Sequence, residues 1–165
     1  MHQPSTDDLL AVILDSWDRS NRILVNLLRA LPPGGLEARA MPGSPSVAEM
    51  FAHIHSVRLV FLCEDAPDLG FAAPPKEWSS ETDPDVLAGR LESSAKAVRD
   101  AVESRIREGL EMQLHYDHSL LYLQHMIWHE GYHHGQIKLA LKIAGMPIAN
   151  KDAGPVTWRL FIRKT

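Results

Sequence analysis

Over the first thirty positions, Leu10, Ile13, Trp17, Leu24, Leu28 and Leu31 recur at three- and four-residue steps. That spacing puts them on one face of a helix. It predicts a helix from about Ser5 to Leu31, ended by Pro32-Pro33-Gly34-Gly35. Ser20 and Asn21 interrupt the stripe, either as a wet edge or as polar groups lining an internal site. A second helix should begin at Ser46, because Glu49 three residues on completes a capping box. It runs to about Glu64 with Met50, Ile54, Val57, Val60 and Phe61 inward. A third opens at Asp83-Pro84, a cap followed by proline at the first helical position. Leu87, Leu91, Ser94, Val98, Ala101 and Val102 form its inner face to about Arg107. The fourth spans about Asp117 to Ala144 and stops at Gly145-Met146-Pro147.

Nothing before residue 148 alternates with period two, so the expected class is all-α. The connection "DAPDLGFAAPPKEWSSET" between the second and third helices is long for a helical turn. It is long enough to cross the length of a bundle, which predicts a four-helix bundle with a long crossover and helices two and three parallel. The tail "VTWRLFIRKT" reads either as a short strand or as a strap across the bundle. One domain, 1–165, is expected from a chain of 165 residues.

Composition narrows the function classes. The chain is 45% hydrophobic with a formal net charge of −4 and no basic run, so nucleic-acid binding is not expected. Its one cysteine, Cys63, excludes an internal disulfide and a Cys-x-x-Cys pair, and it reads as a small buried residue. The N-terminus carries acids where a secretory signal carries bases, and no stretch approaches the ~18 apolar residues of a membrane span. The expected location is the cytoplasm, with no membrane partner.

The chemistry concentrates in "QHMIWHEGYHHGQI", which holds four of nine histidines. A helix turns about 100° per residue. With His125 at zero, Gln136, His129 and His133 fall near 20°, 40° and 80° by the same rule. Tyr132, Leu139, Ala140 and Ile143 share that side, while Gln124, Glu130, Gly131, Lys138 and Lys142 take the other. These imidazoles are therefore expected to face the core. One inward histidine is usually a hydrogen-bonded core residue; three on one stripe point to a ligand. Residues at i and i+4 are neighbours, so His129 and His133 can reach one ion. An open catalytic metal site commonly takes three protein ligands. In "AHIHS" His53 lies at the edge of the core stripe, and His55 points away with Arg58 to the surface. His53 is thus the expected third ligand.

His129 to His133 also reads H-E-x-x-H. In the helical zinc proteases a third His or Glu follows downstream, but after His134 the only acid is Asp152. Glu130 falls about 100° from His129, on the solvent side. A zinc protease is the weakest of the readings.

"HEGYHHGQI", with the upstream "AHI", resembles the DinB/YfiT-like family of metal-dependent enzymes over nearly the whole chain. Its pattern, a His in helix two and then His-x-x-x-His with Gly-Gln shortly after, is matched by His53, His129, His133 and Gly135-Gln136. His134 stands where the family often has Arg, and His125 where it often has His, as pocket lining. The resemblance implies a four-helix bundle with a long crossover, a divalent metal (zinc or nickel) and frequent homodimers. It also implies a low-molecular-weight thiol as co-substrate.

The leading expectation is accordingly a metal-dependent transferase or hydrolase acting on a small molecule. His53, His129 and His133 hold the metal, and His125, Tyr132 and Gln136 are the pocket candidates. The alternative is a non-catalytic metal-binding or stress-associated interaction module. Leu120, Leu123, Ile127 and Leu141 form a second apolar strip on the last helix, the expected homodimer contact unless the tail or the crossover covers it.

Overall fold

A computed structural model describes residues 5–162. The chain folds into four long helices, α1 (Thr6–Arg29), α2 (Val47–Asp65), α3 (Pro84–Glu108) and α4 (Ser119–Ile143), and a short α5 (Asn150–Val156). The described residues contain no strand, only one isolated bridge between Arg39 and Ser46. The all-helical expectation holds. No helix among the described residues is long and apolar enough to cross a membrane.

The ends of the helices follow from local chemistry. The Ser5 and Ser46 hydroxyls accept from the amides of Asp8 and Glu49, whose carboxylates accept in return from the Ser5 and Ser46 amides. Each exchange satisfies two donors that a helix start otherwise orphans. At α3 the Asp83 carboxylate accepts from the amides of Asp85 and Val86, with Pro84 at the first helical position. Past α3 and α4 the chain turns through Gly109 (φ 66°) and Gly145 (φ 75°), a left-handed geometry that disfavours any side chain.

Contacts fix the directions of the helices. His55 meets Arg90, Arg58 meets Ser94 and Asp68 meets Arg105, so the numbers rise together along α2 and α3. Against α3, α1 runs the other way, with Trp17 Nε1 donating to the Ala95 carbonyl and Arg29 pairing with Asp85. The expected inner face of α3 is buried throughout.

The interior divides in two. One apolar cluster gathers Leu24, Leu28, Val47, Phe51, Ile54, Leu91, Ile137 and Leu141. The other gathers Leu10, Leu14, Trp17, Leu62, Val98, Tyr122 and Met126. The tail is a helical strap: α5 and a 3-10 turn at Trp158–Leu160 lie along α1. Asn26 donates to the Val156 carbonyl (2.5 Å) and Arg19 to that of Leu160. The last three residues of the stretch read as strand or strap lie outside the described residues.

Two expectations about α4 are corrected. Leu123 and Leu141 are fully buried in this chain's own core, and Leu120 and Ile127 pack against it, so that strip is not free to meet a partner. Tyr132, Leu139 and Ile143, expected to face inward, are exposed, as are Leu121 and Trp128. The inward side is centred on Met126, Glu130 and Ile137. A charged residue in that stripe had displaced the expected centre.

Candidate metal centre

The capping box at Ser46 sets the register of α2, and the run from His118 sets that of α4. Between them three imidazoles converge. His129 Nε2 lies 3.1 Å from His53 Nε2 and 3.1 Å from His133 Nε2. One ligand atom from each ring falls within 4.8 Å of the others. The three expected ligands are thus brought together, from two helices 76 residues apart in sequence.

Hydrogen bonding alone leaves this group unsatisfied. An imidazole nitrogen either donates one proton or accepts through one lone pair, so His129 Nε2 can satisfy only one of its two neighbours. The Nδ1 atoms of all three rings are buried without a hydrogen-bond partner. Burial first, then the neighbouring His133 and His53, pulls the His129 pKa down to about 3. Burial and then His53 takes His133 to about 4, with Gln136 opposing. His53 is lowered by burial against the pull of Glu77. At neutral pH the cluster presents uncharged nitrogens. Ligands 2.0–2.1 Å from a tetrahedral zinc stand roughly 3.3 Å apart, so the rings are already spaced for one divalent ion. Three ligands leave further coordination positions open.

The crossover reaches this group, which the sequence did not indicate. Trp78 stacks on the His53 ring, with centroids 3.9 Å apart and planes 7° apart. Glu77 Oε1 lies 2.8 Å from His53 Nδ1, at hydrogen-bond distance but off the N–H axis. An indole in a Pro- and Ser-rich connection, with no helical stripe to join, was the available signal.

The pocket candidates are placed as follows. His125 is half-buried, its Nδ1 2.7 Å from the Tyr116 hydroxyl and its ring edge-on to His129. Burial, then Asp65 and Glu64, raises the Tyr116 phenol well above its ordinary value, so the hydroxyl keeps its proton at hydrogen-bond distance from His125. Asp65 accepts from the amides of Leu114 and His115 and thereby fixes the loop that carries Tyr116. Tyr132 lies edge-on to His133 and stacks on Trp128, toward solvent. Gln136 lies beside His133. His134 is outside the group, as expected. Cys63 is half-buried; its thiol, raised by burial, donates to the Phe71 carbonyl and takes no part.

Glu130, Arg58 and His55 depart from expectation. Glu130 is buried, not solvated, and Arg58 is completely enclosed. Arg58 Nε donates to Glu130 Oε1 at 2.6 Å, and Nη1 to Asn21 Oδ1 and the Leu91 carbonyl. Its guanidinium lies 4.9 Å from the centre of the Trp17 ring. Burial pushes the Glu130 carboxyl up while Arg58 pulls against it. Asn21, half-buried, lends its side-chain oxygen to this internal pair. His55 is half-buried, its Nδ1 2.9 Å from the Arg90 carbonyl. The wheel placed the α4 residues correctly relative to one another, but a buried ion pair inverts the assumption that charge marks the outside. Glu130 is engaged by Arg58 in the core, which leaves the H-E-x-x-H string without a free general base.

No curated protein and no solved structure matches the sequence. The DinB family profile matches residues 1–158, which takes in α1 to α4 and the three histidines, so the chain belongs to the DinB family.

Proposed function

We propose that this chain is a metal-dependent transferase or hydrolase acting on a small molecule, with His53, His129 and His133 holding a divalent ion, zinc or nickel. The convergence of three uncharged imidazoles carries the reading. A divalent ion with neutral ligands supplies a strong lowering of the pKa of a bound water or thiol. A low-molecular-weight thiol as co-substrate agrees with that chemistry and with the family resemblance. Tyr116 orients the His125 ring, which lies edge-on to His129. Tyr132 and Gln136 flank His133 and orient substrate.

We read the architecture as one domain, a four-helix bundle with a long crossover, supported by the parallel contacts of α2 and α3. A homodimer would use the exposed face of Leu121, Trp128, Tyr132, Leu139 and Ile143. The reading places the protein in the cytoplasm. A non-catalytic metal-binding or interaction module is the second reading. It is favoured by one observation: the carboxylate within the histidine motif, Glu130, is engaged by Arg58 and is not available as a base.

Elemental analysis tests the site. Wild type should carry one divalent ion per chain, and the His53→Ala/His133→Ala double variant less than a tenth of that. A stoichiometric metal in a folded double variant would discard the ligand set. Screening the loaded protein for thiol-adduct formation and hydrolysis, against His129→Ala, separates enzyme from binder.

A further inference from the structure

We infer that Glu77 and Trp78 clasp the outer side of His53, so that metal binding and ordering of the crossover, residues 66–83, are one coupled event. This rests on the metal-site reading.

A histidine that ligates through Nε2 keeps its proton on Nδ1, and that proton needs an acceptor. Carboxylates in this position orient the ring and raise its basicity. His53 has such a carboxylate in Glu77, 2.8 Å from Nδ1. The indole of Trp78, stacked at 3.9 Å, covers the ring face and limits its rotation. Trp78 also meets His133 edge-on at 6.4 Å, so one side chain spans ligands from both helices.

Apart from Leu69 and Phe71, which are half-buried against the core, the crossover is held mainly by hydrogen bonds. After Ala66 none of its residues is buried. Its other ties include Ser56 to the Lys76 carbonyl, Cys63 to the Phe71 carbonyl, Arg105 to Asp68, and long Arg90 contacts to Ser79 and Glu81. A segment with few buried contacts opens locally at low cost. A ligand that favours the clasped form shifts it, and by reciprocity the clasp strengthens the ligand.

The test uses the full chain, stripped by chelator and titrated with zinc against a competing chromophoric chelator. Helix content by circular dichroism confirms that each variant is folded. Amide hydrogen exchange over 76–80 is followed with and without zinc. Glu77→Ala should weaken zinc about 10–100-fold. Glu77→Gln, which keeps an acceptor, should weaken it less. Zinc should slow exchange over 76–80 in wild type, and clearly less in Glu77→Ala and Trp78→Ala. Wild-type binding with Glu77→Ala within twofold, or exchange that ignores zinc, overturns the clasp and leaves the three-His site standing. Zinc that binds neither wild type nor His129→Ala overturns both.

Discussion

Glu130→Ala should lower stability by about 3–5 kcal/mol, because it strands the Arg58 guanidinium in the core without its carboxylate. Arg58 would keep only Asn21, Ser94 and the Leu91 carbonyl, none of which carries charge. Urea unfolding measures the loss. The same variant discriminates between roles. If Glu130 is structural, whatever folded Glu130→Ala remains at low temperature should still take up one metal ion. A variant as stable as wild type but catalytically dead would instead restore Glu130 as a base and sink the structural assignment.

The metal-free protein should lose stability steeply as pH falls from 6.5 toward 4. The folded pKa values are about 3 for His129 and about 4 for His133, both below the ordinary 6.5. Above 6.5 neither state is protonated at these rings and their contribution is intact. Between 6.5 and 4 the unfolded chain binds two protons that the folded chain refuses, so stability rises with pH across that window. Each proton is worth at most about 1.4 kcal/mol per pH unit. His129 is partly open to solvent, so roughly half of its share should survive screening, while His133 is buried and keeps most of its own. Urea midpoints of chelator-treated protein at pH 7.5, 6 and 5 measure the slope, with His129→Gln/His133→Gln as reference. Equal slopes in the two proteins would show that the rings do not resist protonation.

What the sequence showed well was whatever depends on neighbours along the chain. The box at Ser46, the Asp83-Pro84 start and the inner face of α3 were readable because caps and apolar periodicity act within a few residues. The convergence of the three histidines was readable for the same reason: i, i+4 spacing pairs His129 with His133, and a stripe edge selects His53. Failures came from partners distant in sequence. Nothing local to Glu130 or Arg58 says that each neutralises the other across 72 residues. Glu77, Trp78 and Tyr116 reach the site from connections, which have no periodicity to orient them.

The charged waist also limits how the rods can slide. Apolar surfaces built from leucine, alanine and valine tolerate neighbouring alignments, and one turn of slip would bury nearly the same area. Here such a slip would pull Arg58 away from Glu130 and leave both in hydrocarbon, so the pair works as a locating pin. A variant with methionine and leucine in their places should be no less stable, yet show doubled amide resonances from more than one alignment; a single sharp set would mean the pin is redundant.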